Sequence, residues 1–153
     1  MKSGLIIWDW IGTLAKSRSN STKFFDDALP IVELFDGAYI QAVISKASNP
    51  KEREIQIKKS PFAKYMAEVK GVEDKTLDVF TEIMQKYEVS PAQTWVIDDR
   101  TRRGITIGNQ LKCKTVWLAR PKGKYLNETP NAETGQPYKT ITSLTELTGL
   151  LLL

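Results

Sequence analysis

Short apolar runs alternate along the chain with segments whose apolar residues have helical spacing. Residues 5–8 form one such run, and residues 39–45, 94–97 and 114–119 form three more. Continuous apolar runs of this length are typical of strands that are buried on both faces, as in a parallel sheet. Because these strands alternate with helices, we predict an α/β fold, with right-handed crossovers and helices on both faces of the sheet.

One helix is marked by its spacing. Apolar side chains recur at helical intervals between positions 75 and 88, at Leu77, Phe80, Ile83, Met84 and Tyr87. An earlier helix is expected between a cap at Ser21 or Thr22 and Phe35, although Pro30 favours a kink or a late start. Further predicted elements are helices over residues 51–59, 101–112 and 142–152, a short edge strand over residues 67–70 and a polar loop over residues 120–139.

Composition narrows both the class of protein and the chemistry. A chain of 153 residues, 41% apolar and 26% charged, is typical of one globular domain, here residues 1–153. No apolar stretch is long enough to span a membrane. The single cysteine, Cys113, excludes an internal disulfide and fits a reducing compartment, so we expect a cytoplasmic protein. Because the chain has no histidine, it excludes catalysis or metal binding that depends on an imidazole.

Three of the apolar runs terminate in residues that could do chemistry. The first is followed by Asp9, the second ends in Ser45, and the third is followed by Asp98 and Asp99. Parallel strands put their carboxyl ends on one edge of a sheet, where open α/β sheets bind their ligands. Adjacent carboxylates repel one another unless a cation lies among them, and an all-oxygen site without His or Cys favours Mg²⁺.

Such an edge favours phosphoryl transfer. An aspartate can act as a nucleophile and form an aspartyl-phosphate, while the hydroxyl of Ser45 and a nearby lysine could hold phosphate oxygens. Positioning and charge neutralisation carry most of the catalysis of such a reaction. The alternative interpretation is structural, with Asp98 and Asp99 in a polar turn and Ser45 as a helix cap.

The joint order of these motifs resembles that of the haloacid dehalogenase (HAD) superfamily. The run Asp9-Trp10-Ile11-Gly12-Thr13 and the strands that end in Ser45 and in Asp98-Asp99 are similar to its first, second and fourth motifs. Lys75, just ahead of a predicted helix, is similar to the lysine of the third motif. The resemblance covers nearly the whole chain. It implies a Rossmann-like three-layer sandwich with a mainly parallel five-stranded sheet, in the strand order 5-4-1-2-3.

The resemblance also implies a role for each matched residue. Asp9 would be the nucleophile and a ligand of Mg²⁺, and Ile11 would offer the metal its backbone carbonyl. Asp99 would be a further metal ligand, with Asp98 as the second candidate. The residues implied to bind the phosphoryl group are Trp10, Ser45 and Lys75, and the rival lysines Lys46 and Lys70 are interpreted as surface charges.

Two positions depart from the pattern of the family's phosphatases. Those enzymes usually have a second aspartate two residues after the nucleophile, which protonates the leaving group and then activates water. Here that position is Ile11, which can do neither. Such proton transfer is typically worth about 10²–10⁴-fold in rate. Gly104 stands where a further acidic residue often follows the metal-binding aspartate, a loss that Asp98 could cover.

Four explanations for Ile11 stay open. The substrate could have a good leaving group, as acyl and aryl phosphates have, or a Glu or Tyr of the 120–139 loop could supply the proton. Alternatively, turnover could be lost while phosphate or partner binding remains, or the reaction could differ from phosphate-ester hydrolysis. Phosphonoacetaldehyde hydrolase and the L-2-haloacid dehalogenases represent the last case, but both need a cap domain. Only 31 residues, 14–44, separate Thr13 from Ser45, which allows one helix and no cap domain.

An uncapped site suggests a large substrate or a partner that supplies the lid. Two basic clusters follow the predicted strands and would attract an anionic substrate to the same edge: Arg100, Arg102 and Arg103, and Arg120, Lys122 and Lys124. They could equally be a solvated surface. We expect Trp8 to pack into the core and Trp10 to line the site. A nucleic-acid end is conceivable as a substrate, although the chain lacks the basic and aromatic stripe of the known binding modules.

The sequence therefore predicts an uncapped, magnesium-dependent phosphohydrolase or phosphotransferase that acts through Asp9. The alternative is a catalytically impaired relative that binds phosphate or a protein partner. A net charge of +4 fits an anionic substrate in either case and does not by itself indicate nucleic acid. The sequence gives neither the substrate nor the oligomeric state.

Overall fold

A computed structural model describes residues 2–17 and 23–152 of the chain. Within them, a single sheet contains the strands β1 (Leu5–Trp8), β2 (Ile40–Lys46), β3 (Glu68–Val72), β4 (Thr94–Asp98), β5 (Lys114–Leu118) and β6 (Lys139–Ile141). The strands lie in the order β3-β2-β1-β4-β5-β6, and all adjacent pairs are parallel. The first strand is thus central, between β2 and β4.

The order of the first five strands confirms the predicted 5-4-1-2-3, but the predicted count of five strands is wrong. The sixth strand, β6, pairs with β5 at the edge of the sheet. It has only three residues, and two of them, Lys139 and Thr140, are exposed while Ile141 is buried. A strand this short and polar has no apolar run to mark it in the sequence. It is defined by pairing with β5 rather than by its own composition.

The helices lie on both faces of the sheet. They are α1 (Ala28–Phe35), α2 (Pro50–Lys58), α3 (Leu77–Lys86), α4 (Thr106–Gln110) and α5 (Thr148–Leu151). Short 3₁₀ turns cover residues 63–65, 91–93 and 144–147. Helix α1 starts late, with Pro30 in its first turn, where proline is tolerated. The caps proposed at Ser21 and Thr22 lie outside the described residues.

Two predicted helices are shorter or less regular than expected. The segment predicted as a helix over residues 101–112 begins as a π-helical turn, Thr101–Ile105, and continues as α4. In that wide turn the backbone N–H of Gly104 donates to a carboxylate oxygen of Asp98 at 2.9 Å. The segment over residues 142–152 is a 3₁₀ turn followed by α5, and a reciprocal capping box of Ser143 and Glu146 starts it.

The hydrophobic core consists of two layers, one on each face of the sheet. Alternate side chains of β1 point to opposite faces, so that Ile6 and Trp8 pack in one layer and Leu5 and Ile7 in the other. The first layer contains side chains of α1 and of the C-terminal turns, and the second contains side chains of α3 and α4. This arrangement confirms the predicted three-layer α/β sandwich and the core position of Trp8.

Among the described residues between β1 and β2, which are 9–17 and 23–39, α1 is the one helix, and no cap domain is found within residues 2–17 and 23–152. Across residues 2–17 and 23–152, no helix combines the length and apolar character needed to cross a membrane.

Candidate active site

Three carboxylates meet at the carboxyl edge of the central strands. Asp9 directly follows β1 and continues its pairing with β4 through an N–H···O bond of 3.0 Å to Ile97. Asp98 ends β4 and Asp99 follows it. One oxygen from each carboxylate lies within 4.8 Å of the others. We call Asp9, Asp98 and Asp99 the carboxylate cluster.

Lys75 reaches the carboxylate cluster from the start of α3. Its ammonium donates to Asp9 Oδ1 at 2.8 Å and to Asp98 Oδ2 at 3.1 Å, and its side chain is only 3% exposed. Burial alone would lower the pKa of Lys75, but the two carboxylates raise it overall, so the lysine stays charged. Neither rival lysine pairs with the cluster: the ammonium of Lys46, which lines the same cavity, lies 4.0 Å from Asp74, and that of Lys70 lies 4.0 Å from Glu68.

Asp98 is fully enclosed, and both of its oxygens accept hydrogen bonds. Oδ1 accepts a hydrogen bond from the backbone N–H of Arg100 at 3.0 Å, while Oδ2 accepts one from the backbone N–H of Gly104 and one from the ammonium of Lys75. Burial and the charge of Asp9 raise the pKa of Asp98, and Lys75 opposes them. A side chain at position 104 would collide with this carboxylate, so the close approach of Asp98 requires glycine there. Asp98 is therefore placed as a support for the cluster.

Asp99 faces the cavity together with Asp9. Burial, reinforced by the charges of Asp9 and Asp98, raises the pKa of Asp99 to about 10. At neutral pH this carboxyl group either keeps a proton or needs a cation beside it. Gly12 has a φ of 91° and passes so close to Asp99 that a Cβ there would overlap the carboxylate. The tight turn after Asp9 thus depends on glycine.

The donor set of the cluster fits a hard divalent cation. It offers carboxylate oxygens without nitrogen or sulfur ligands, the chemistry that Mg²⁺ prefers. Three carboxylates face a single lysine, which leaves a surplus of negative charge in a largely buried place. Ile11 also lines the cavity, and the role that the resemblance implies for its backbone carbonyl stays a prediction.

Ser45 lies on the cavity wall, near the end of β2, and is 1% exposed. Its hydroxyl oxygen accepts a hydrogen bond of 2.8 Å from the guanidinium of Arg53, which also reaches the carbonyl of Lys46. Because the Arg53 donor occupies the oxygen, the hydroxyl hydrogen of Ser45 is available to a bound anion. On the other side, the hydroxyl of Thr13 donates to Asp9 Oδ2 at 2.9 Å.

Arg53 is a site residue that the sequence interpretation missed. Arg53 belongs to α2, which the sequence predicted as an exposed, charged helix. Arg53 itself is only 8% exposed. The available signal was spacing: Arg53 lies four positions before Ile57, on the face of α2 that is buried.

Trp10 does not line the cavity, so the expectation for its side chain is wrong. The indole is 1% exposed and packs edge-on against Phe24 and Phe62, with ring centroids 5.9 and 5.5 Å away. Burying a large aromatic side chain in the core is more favourable than exposing it at a polar edge. Any contact of Trp10 with a phosphoryl group is left to its backbone.

A cavity of about 560 Å³ opens beside Asp9, Ser45 and Asp99. Five of the six predicted basic residues line it, namely Arg100, Arg103, Arg120, Lys122 and Lys124, together with Lys16 and Lys46. The sixth, Arg102, is exposed and donates its backbone N–H to Glu128. The two clusters thus lie mainly at the predicted edge.

Two of these arginines are already paired. Arg120 binds the carboxylate of Asp27 with two N–H donors, at 2.9 and 2.8 Å, and stacks on the ring of Phe25. We call Arg120 and Asp27 the Arg120 clamp. Arg100 binds Glu128 at 2.9 Å and lies 3.9 Å above the ring of Tyr125.

A Glu or a Tyr of the 120–139 loop is a candidate proton donor, and Glu128 and Tyr125 differ in how well they suit that role. Burial would raise the pKa of Glu128, but Arg100 and the backbone N–H of Arg102 bring it below its usual value. A carboxylate held in this way is a poor acid. Tyr125 lines the cavity and is the tyrosine of the loop that a substrate there would meet.

No family model matches the sequence, and no curated protein matches it. Solved structures do match. An uncharacterised protein from Listeria monocytogenes superposes with a TM-score of 0.78 at 14% identity, covering 97% of both chains. A haloacid dehalogenase-like hydrolase from Streptococcus pneumoniae gives a TM-score of 0.77 at 11% identity, covering 96% of this chain and 97% of its own.

A larger structure gives a similar result. A putative HAD-hydrolase from Bacillus subtilis, bound to magnesium, has a TM-score of 0.70 at 14% identity, and the match covers 86% of this chain but 57% of that one. With its central β1, the strand order around it and the carboxylate cluster at the edge, the chain has the fold of the haloacid dehalogenase-like hydrolases.

Proposed function

We propose that the protein is a magnesium-dependent phosphohydrolase or phosphotransferase that acts through an aspartyl-phosphate on Asp9. The observation that carries the proposal is the carboxylate cluster at the ends of β1 and β4, in which one oxygen of each carboxylate lies within 4.8 Å of the others and a single lysine pairs with Asp9 and Asp98. The surplus negative charge supports binding of a divalent cation, and the neighbouring hydroxyl and lysines support binding of a phosphoryl group.

The metal would be held by Asp9 and Asp99, together with the backbone carbonyl of Ile11. Asp98 is the weaker candidate because its side chain is only 2% exposed and does not line the cavity, whereas Asp9 and Asp99 both line it. When bound, Mg²⁺ would neutralise the charge between the Asp9 carboxylate and the phosphoryl oxygens.

In the first step, a carboxylate oxygen of Asp9 forms a bond to phosphorus while the bond to the leaving oxygen breaks. Lys75 and Thr13 hold the two oxygens of Asp9 and so fix its orientation. The Ser45 hydroxyl, held by Arg53, donates to a phosphoryl oxygen. In the second step, the oxygen of water or of an acceptor alcohol attacks phosphorus and its proton passes to a phosphoryl oxygen, while the bond between phosphorus and Asp9 breaks and the carboxylate leaves with the electron pair.

The residue at position 11 favours substrates with good leaving groups. Ile11 cannot protonate a departing alkoxide, whereas the carboxylate of an acyl phosphate and the phenolate of an aryl phosphate leave as stable anions. Tyr125, on the cavity wall, is the candidate to protonate a leaving group in place of the missing aspartate. The second candidate function follows from the same residue: a protein that keeps the phosphate and metal sites but has lost turnover.

The test is a steady-state assay with acetyl phosphate and 4-nitrophenyl phosphate, with Mg²⁺ and with EDTA. We expect turnover that requires Mg²⁺ and that Asp9→Asn lowers by about 10³-fold or more, because the nucleophile is lost. Asp36→Asn, an exposed aspartate after α1, is the control for the same chemical change.

Two results would contradict the proposal, one by removing its mechanism and the other by removing catalysis. Turnover that survives Asp9→Asn would remove Asp9 as the nucleophile. No turnover of either substrate, with a Mg²⁺-dependent rise of the melting temperature retained, would favour the binding protein.

A further inference from the structure

The cavity beside the carboxylate cluster carries more positive charge than one phosphoryl group needs. Asp9 and Asp99 are the only carboxylates among the described residues that line it. Two of its cations, Arg100 and Arg120, are paired with carboxylates outside the cavity. The cations that remain are Lys16, Lys46, Arg103, Lys122 and Lys124.

These remaining cations have little compensation. Lys46 lies 4.0 Å from Asp74, and the other four make no ion pair within residues 2–17 and 23–152. Lys122 and Lys124 are exposed, and both come from the short segment that follows Arg120. Lys124 and Lys16 lie near the rings of Tyr125 and Phe25, but a ring does not neutralise a charge. Cations that share a wall without carboxylate partners repel one another, and a bound anion relieves that repulsion.

The segment with Lys122 and Lys124 is held at both ends. The Arg120 clamp fixes its start, and Arg120 also donates to the carbonyl of Thr13 at 2.8 Å. At its other end, Tyr125 lies under the guanidinium of Arg100. Between these ends, the N–H of Gly123 donates to the carbonyl of Arg120 at 2.9 Å and closes a four-residue turn. The two lysines therefore project from a fixed backbone.

Lys122 has an unfavourable backbone conformation for a lysine. Its φ is 62°, and Pro121 precedes it, the arrangement of a type II turn, whose third position favours glycine or asparagine. Strained backbone positions cluster at functional sites, and Lys122 lies on the cavity wall. Glycine stands one position later, where it does not relieve the strain.

We propose that the substrate carries a second anionic group, a phosphate or a carboxylate, which Lys122 and Lys124 bind while the transferred phosphoryl group lies at Asp9. This inference rests on the proposed function, because it takes the phosphoryl position from it. It identifies the substrate class as small phosphorylated compounds with two separated anionic groups.

The test measures binding rather than turnover, by calorimetry in Mg²⁺ with three unreactive phosphonates. They are benzylphosphonates with a neutral 4-carbamoyl group, a 4-carboxylate or a second phosphonomethyl group. We expect the diphosphonate, corrected for its two equivalent ends, to bind about fivefold to tenfold more tightly than the carbamoyl compound. The carboxylate should lie between them if charge alone decides, and should equal the diphosphonate if a carboxylate is the natural group.

The variant Lys122→Gly separates the charge from the fold. It removes one cation and also suits the positive φ, so we expect the preference for the diphosphonate to fall about threefold to fivefold while the melting temperature stays level or rises. Lys112→Gly is the matched control, since Lys112 is exposed, has a φ of 68° and lies after α4, outside the cavity wall. It should leave the preference unchanged.

The outcomes distinguish this inference from the proposed function. Equal affinity of the wild-type protein for all three phosphonates would overturn the second anionic group, and Asp9-dependent turnover of aryl phosphates would then still stand. An equal loss of preference in both lysine variants would overturn the role of Lys122. A clear preference in a protein without turnover would keep the second anion site and reject catalysis.

Discussion

Two groups of buried charges lie at the same edge of the sheet, and they differ in balance. In the Arg120 clamp, one arginine faces one carboxylate through two hydrogen bonds. In the carboxylate cluster, one lysine faces three carboxylates. Both groups tie together segments that are distant in the sequence, so distance along the chain does not explain the difference.

The balanced group acts as a structural joint. Asp27 accepts both Arg120 bonds and also the backbone N–H of Leu144, and so connects the start of α1, the end of β5 and the C-terminal turns. Burial would raise the pKa of Asp27, but Arg120 and the Leu144 N–H bring it below its usual value. Its charged form is therefore the one that the fold stabilises.

The unbalanced group has the opposite property. The pKa values of Asp98 and Asp99 are raised, because burial and neighbouring carboxylates outweigh the single lysine. The fold thus opposes the charged form that it brings together. The comparison teaches that a surplus of like charge, rather than burial alone, distinguishes a place that needs a ligand from a place that holds the structure.

Because the two groups differ in charge balance, we expect an Asp→Asn substitution to lower the stability of the protein in the clamp and to raise it in the carboxylate cluster. Asp27→Asn should destabilise the protein by about 2–3 kcal/mol at pH 7, because Arg120 loses its counter-charge and meets an amide that also donates. For a chain of this length, that is a fall of about 4–12 °C in melting temperature. The exposed neighbour Asp26→Asn should change little.

The pH dependence of stability tests independently whether the Asp27 carboxylate stabilises the fold. The contribution of Asp27 is present above its unfolded pKa of about 4 and is lost as the pH falls through its lower folded pKa. Chemical denaturation of the wild type and Asp27→Asn should therefore converge in acid. If Asp27→Asn is as stable as the wild type at pH 7, the Arg120 clamp does not stabilise the fold.

In the carboxylate cluster the same change should stabilise. Without metal at pH 7, Asp99→Asn should gain about 1–2 kcal/mol, because the neutral amide avoids the cost of burying a third carboxylate. The pKa of about 10 means that wild-type stability falls as the pH rises from the unfolded pKa of about 4 toward 10, so the gain should grow with pH.

In Mg²⁺, we expect the wild type to be more stable than Asp99→Asn, the reverse of their order without metal. Metal binding stabilises the folded wild type, and Asp99→Asn should lose most of that rise in melting temperature. Thermal unfolding in EDTA and in Mg²⁺ measures both effects, with Asp36→Asn as the exposed control. If Asp99→Asn is less stable than the wild type in EDTA, the cluster is a structural joint like the clamp.

The sequence predicts the location of the cluster better than its internal arrangement. Asp9, Asp98 and Asp99 end or follow apolar runs, and parallel pairing alone brings such strand ends to one edge. Which oxygen accepts which donor depends on contacts across the fold. Those contacts show that Lys75, and neither rival lysine, reaches the carboxylates.

The sequence fails where a residue's environment is set by distant segments. Strand β6 is defined by its partner β5, and Trp10 is taken into the core by Phe24 and Phe62. Arg53 lies in a helix whose composition indicates an exposed surface, yet the end of β2 offers it Ser45 as an acceptor. Side chains with both polar and apolar parts are those for which local pattern decides least.

Arg53 gives the smallest expected effect and extends the comparison to a third buried cation. Its contact at 2.8 Å is with the Ser45 hydroxyl, so its proposed role is to position that hydroxyl toward the phosphoryl group. Arg53→Met should raise KM for acetyl phosphate about fivefold to tenfold, with kcat changed less, because a binding contact is weakened before the chemical step. Lys58→Met, an exposed position on the same helix, is the control.

The split between KM and kcat separates positioning from general support of the fold. A variant that merely loosened α2 would lower the melting temperature and reduce active protein, which lowers kcat per mole and leaves KM unchanged. Arg53→Lys restores the charge without the planar donor pair, so partial recovery of KM would assign the effect to the charge, and no recovery to the geometry of the guanidinium. If KM is unchanged in Arg53→Met, Arg53 does not position the Ser45 hydroxyl for binding, and its hydrogen bond to Ser45 is structural.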